Sequence, residues 1–81
     1  MKKNIIDLSV REGEIFLLVA KGYSSQKIAE TLYISKGTVD THRRNIMQKL
    51  GTNKLARAIV LAIYYKIIEI DDDGEVRLCL S

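Results

Sequence analysis

Proline and tryptophan are absent from this 81-residue chain, and cysteine, histidine and phenylalanine occur once each. Each shortage excludes something. Without proline, no residue forces a helix to break. With Cys79 alone, no internal disulfide can form, which suits a reducing, cytoplasmic setting. His42 and Cys79 have no neighbouring histidine or cysteine, so no metal site and no redox pair is expected. The acidic run Asp71-Asp72-Asp73-Gly74 lacks the spacing of a calcium loop of about 12 residues. No apolar run reaches the roughly 18 residues of a membrane span. Met1-Lys2-Lys3 is followed by no signal-type apolar stretch. There is no Ser/His/Asp set, no glycine-rich phosphate loop and no isolated carboxylate pair. The chain therefore reads as a soluble, cytoplasmic non-enzyme that needs no cofactor.

What is present is aliphatic and charged. Apolar residues make up 47% of the chain, with one Phe and four Tyr among them. That is enough for one small domain with an aliphatic core. The net charge of +3 hides an asymmetry. Residues 67–81 hold five acids and one base, leaving twelve bases and five acids in residues 1–66, or +7. A basic body suits nucleic acid, although any acidic partner would also fit.

The stretch Ser35 to Leu50 reads as one amphipathic helix. Ser35 can cap its start and Gly51 its end. Val39, Ile46 and Leu50 form the apolar stripe, with Met47 beside it. The opposite face carries Gly37, Asp40, Thr41, Arg44, Asn45 and Gln48, side chains suited to base edges in a major groove. A merely solvated helix face is the plainer alternative. His42 falls at the edge of the core stripe and reads as structural.

Ahead of this helix, Ser9 and Glu12 form a capping box. Helix 1 is expected from Val10 to Lys21, stopped by Gly22, with Gly13 mildly unfavourable in its first turn. Helix 2 is expected over Gln26 to Tyr33, capped by Ser24 or Ser25, with Ile28, Ala29 and Leu32 inward. Ile34 fills the turn. A short helix, a tight turn with an inward apolar residue and a capped helix with a polar outer face make a helix-turn-helix pattern.

These residues carry a resemblance. Leu8 to Gly51 is similar to the LuxR/FixJ/GerE-type (NarL-like) DNA-binding domain, whose outline runs L-T-x-R-E-x-E-V-L, A-x-G-x-S-N-K-E-I-A, L-x-I-S-x-x-T-V-K-x-H and N-I-x-x-K-L-G. Ser25, Gln26 and Lys27 depart from N-K-E, Asp40 replaces a common Lys, and Leu55 stands where many members carry Arg. The resemblance implies an all-α, four-helix helix-turn-helix domain of LuxR C-terminal type over residues 1–66. It implies sequence-specific double-stranded DNA binding in transcription regulation, with helix 35–50 in the major groove. Base contacts fall to Asp40, Thr41 and Arg44. Phosphate contacts fall to Ser24, Ser25, Gln26, Lys27, Lys36, Thr38, Arg43, Lys49 and Lys54.

Helix 4, about Asn53 to Lys66, is apolar nearly all round. Its stripe Leu55, Ala58, Ala62 and Tyr65 and its stripe Ile59, Val60, Ile63, Tyr64 and Ile67 cannot both be buried in so small a domain. The second is expected at a homodimer interface, as the resemblance also implies. Residues 67–81 lie outside the resemblance. Asp73-Gly74 between two short apolar runs signals a small β-hairpin, with an unstructured acidic tail as the alternative. Resembling proteins mostly carry a sensor or receiver domain, so either this is a stand-alone regulator or a regulatory domain lies outside this chain. A protein-interaction module working through helix 4 and the tail, without specific DNA binding, is the competing reading.

Overall fold

The structure, a computed structural model, describes residues 6–79. Four helices are followed by one hairpin: α1 (Val10–Ala20), α2 (Ser25–Leu32), α3 (Lys36–Leu50), α4 (Leu55–Tyr64), β1 (Ile68–Ile70) and β2 (Val76–Leu78). No helix among the described residues is long and apolar enough to cross a membrane.

Serine caps set the starts of α1, α2 and α3, while α4 begins after Lys54 without a side-chain cap. Ser9 and Glu12 form the expected reciprocal box at α1. Ser24 and Ser35 each accept from a backbone amide three residues on, Lys27 and Thr38. Ser24 rather than Ser25 is therefore the cap of α2.

The helix ends were less legible. Each chain reversal passes through a left-handed residue just beyond the helix: Gly22, Tyr33, Gly51 and Lys66. Amides past the last turn bond back onto helix carbonyls, as with Tyr23 to Leu18 and Thr52 to Met47. Ile34 to Ala29 and Ile67 to Ala62 do the same. This is the Schellman arrangement, which satisfies carbonyls the helix leaves open. Glycine marks two of the four ends. At the other two, Tyr33 and Lys66 take the costly conformation, and helices expected to include them stop at Leu32 and Tyr64 instead.

Phe16, Ile15, Ile28, Ile46, Ile68 and Val39 are the largest side chains that are fully buried. They join Val19, Ala29, Leu50, Ala58 and Ala62 in one cluster. α2 packs on α3, and both lean on α1. Ile34 sits in the turn and packs against this cluster, as its place between two helices suggests.

The hairpin forms and is not isolated. β1 and β2 pair antiparallel, with Ile68 opposite Leu78 and Ile70 opposite Val76. The acidic run makes its turn: the Asp71 carboxylate accepts from the amides of Asp73 and Glu75 at 2.9 and 3.0 Å. Arg77 pairs with Glu69 across the strands at 2.8 Å. A two-stranded hairpin is marginal alone. Here β2 packs on α1 and β1 on α4, and Ile68 is part of the core the helices share.

Candidate nucleic-acid interface

α3 is held from behind and open in front. Val39, Ile46 and Leu50 bury its inner stripe. The C-terminal end is tied by a charge. The Lys49 ammonium donates to the Glu12 carboxylate at 2.7 Å and to the Asp7 carbonyl at 3.0 Å. Glu12 is 6% exposed. Burial alone would raise its pKa, but the Lys49 ammonium and the Ser9 amide outweigh this and hold it below its ordinary value. Lys49, expected at a phosphate, thus has another partner: its charge compensates a buried carboxylate, which would otherwise be costly.

On the front of α3, Thr41, Arg44 and Gln48 are exposed. No hydrogen bond or ion pair engages the Thr41 hydroxyl or the Arg44 guanidinium among the described residues. Asp40 stands at the side of this face toward α2. Lys36 donates to it at 2.9 Å. The Lys36 ammonium first, and then the nearby Ser25 hydroxyl, hold the Asp40 carboxyl below the usual carboxylate range. Arg43 donates to the Ser25 hydroxyl oxygen at 3.3 Å. Two polar pairs, Arg43–Ser25 and Lys36–Asp40, therefore lie between the start of α2 and the first turns of α3.

The remaining expected phosphate contacts gather around these two helix starts. Ser24, Gln26 and Lys27 lie exposed at the first turn of α2, Gln26 donating to Glu30 at 3.1 Å. Thr38 is exposed at the start of α3, its hydroxyl 2.9 Å from that of Ser35. Lys54 precedes α4 and is exposed. The free amides of helix starts add to the attraction for anions there.

Two further exposed residues stand near these helix starts in the chain. Tyr33 is 93% exposed in the turn directly before α3, and no apolar period could place it because it belongs to no stripe. Arg57 is exposed one turn beyond Lys54 and was hidden within an apolar helix. His42 is half-buried, and its Nδ1 is buried with no partner among the described residues.

The apolar surface of α4 divides unequally. Ala58 and Ala62 are fully buried. Ile59 and Ile67 turn partly inward and pack against the core. Val60, Ile63 and Tyr64 remain 59%, 41% and 74% exposed. The expected five-residue outer stripe is therefore three strongly exposed residues with two at its margin.

A short helix, a reversal through a left-handed residue and a longer helix with a free polar face define a helix-turn-helix domain. The chain belongs to the bacterial regulatory proteins of the luxR family, whose GerE profile matches residues 7–62. It is 44% identical over 62 residues to the response regulator protein VraR of Staphylococcus aureus, a match covering 76% of this chain and 30% of that one. The proteins of the same name in Staphylococcus saprophyticus and Staphylococcus epidermidis match equally. The chain spans 30% of the length of these relatives. Among solved structures it is similar to Vibrio cholera VqmA, described in a complex with ligand and DNA. The TM-score is 0.71 and the identity 25%, over 98% of this chain and 32% of that one.

Proposed function

We propose that this chain is the DNA-binding unit of a transcription regulator and inserts α3 into the major groove of double-stranded DNA. The observation that carries this is the unengaged front of α3: Arg44 and Thr41 project from a helix whose other side is locked to the core. Arg44 suits a guanine and Thr41 a thymine methyl. Ser24, Ser25, Gln26, Lys27, Thr38, Arg43 and Lys54 surround them and supply the phosphate contacts that position the helix. Lys49 is left out of that set because it already compensates Glu12. Val60, Ile63 and Tyr64 offer an apolar patch for a second copy, so two units would read a partly symmetric site. The relatives' description as response regulators supports control by a domain beyond this stretch.

The test is selection from a pool of random duplexes at two salt concentrations, with Arg44→Ala beside the wild type. Enrichment of a defined sequence is expected. Arg44→Ala should weaken preference at one base pair by about 1–3 kcal/mol while thermal stability stays within about 0.5 kcal/mol. Affinity should fall steeply with salt as counterions are released. A wild-type protein that enriches no sequence, yet self-associates tightly, would replace this reading with the protein-interaction module.

A further inference from the structure

Helix α3 carries a single carboxylate, Asp40, and it stands among cations: Lys36 and Arg43 on the same helix, Arg44 on the adjoining face. Its side chain is 42% exposed and that of Lys36 56% exposed, with 2.9 Å between ammonium and carboxylate. A carboxylate on a DNA-facing helix is repelled by every phosphate. It is compatible with the groove only where a hydrogen-bond donor meets it. In the major groove the donors are the amino groups of cytosine and adenine. Adenine sets an acceptor beside its amino group on the same base, which suits an amide carrying both a donor and an acceptor. A carboxylate has no donor to offer there. Cytosine presents its amino group alone, and the guanine paired with it presents two acceptors next to it. The Lys36–Asp40 pair has the complementary order, an acceptor with a three-donor ammonium beside it.

Resting on the reading of α3 as the helix that enters the groove, we propose that Lys36 and Asp40 act as one unit that reads a C·G base pair. Asp40 accepts from the cytosine amino group and Lys36 donates to the guanine acceptors. Lys36 then serves base recognition rather than the backbone. Ser25 is assigned as a positioning residue: Arg43 donates to its hydroxyl at 3.3 Å, which sets that hydroxyl beside the Asp40 carboxylate at the start of α2. Specificity at this position would thus depend on the start of α2 as well as on α3.

The experiment is duplex selection with the intact protein, its Asp40→Ala and Asp40→Asn variants and Ser25→Ala, each checked for unchanged melting. Wild type should enrich cytosine at one position. Asp40→Ala should lose that preference by about tenfold while preferences elsewhere persist. Asp40→Asn should shift the same position toward adenine, because an amide matches adenine's donor and acceptor. Ser25→Ala should weaken the cytosine preference without replacing it. If Asp40→Ala binds all duplexes more tightly with an unaltered consensus, Asp40 only repels phosphate and the proposal is overturned. If the consensus holds cytosine under Asp40→Asn, it is overturned as well. Both results leave groove reading by α3 intact. Absence of any wild-type consensus would instead remove the reading on which the proposal stands.

Discussion

Glu12 and Gly13 stand side by side in α1 and hold two different parts of the molecule by two different means. Glu12 secures α3, through a charged hydrogen bond from Lys49 at the end of that helix. At Gly13 the hairpin meets α1 through Leu78, with space for an added Cβ, which would lie at ordinary contact distance, 3.8 Å, from both Leu78 methyl carbons. The first tether is directional and titratable. The second is apolar and indifferent to pH. A helix that must sit in a groove at a set angle gains from a directional bond at its end. A hairpin that need only cover the core gains from contact area.

The largest break falls on the apolar side. Ile68→Ala should cost roughly 2–4 kcal/mol, because it removes a fully buried side chain from the core the hairpin shares with the helices. Thermal unfolding followed by circular dichroism measures this. A loss below about 0.5 kcal/mol would mean that the hairpin is not part of the cooperative unit.

The polar side should break more gently. Glu12→Gln keeps the shape but removes the charge facing Lys49, and should cost about 1–2 kcal/mol at neutral pH. The sign with pH follows from the lowered pKa of Glu12. Its pairing contributes stability above the ordinary glutamate value of 4.5, and that contribution fades as pH falls through the lower folded-state value. The stability gap between wild type and Glu12→Gln should therefore close on acidification. Urea unfolding of both proteins across acid pH tests this, and a gap that widened instead would contradict the assignment. The melting of Ile68→Ala relative to wild type should show no such closure.

The smallest effect sharpens the comparison. Gly13→Ala places its Cβ in ordinary contact with Leu78 and restores helix propensity in α1, so stability should rise by about 0.5–1 kcal/mol. A loss would show that Leu78 packs more tightly on the helix than its present separation allows.

Much of this was legible in single segments. Ser9 with Glu12, and Ser35 ahead of Thr38, announce helix starts because their bonds are local. Val39, Ile46 and Leu50 announce a buried stripe because period alone places them together. Arg44 and Thr41 were legible as exposed polar residues for the same reason: they fall opposite that stripe. The family resemblance reached the same residues and added their role. Tyr33 and Lys66 were not legible as helix ends, since a side chain other than glycine disfavours the left-handed conformation. There the return bonds from Ile34 and Ile67 decide the matter. On α4, periodicity showed that two apolar stripes could not both be covered, but not which residues would remain outside.

The sequence by itself determined the serine-capped starts of α1, α2 and α3, the inward stripe of α3 and the set of polar residues on its other side, because each depends on neighbours within a few positions along the chain. Only the tertiary structure decided that Lys49 compensates Glu12, thirty-seven residues away, that Arg43 meets Ser25, and that Leu78 faces Gly13. Charge compensation and close packing act through space. The residues they join become neighbours only when the chain has folded.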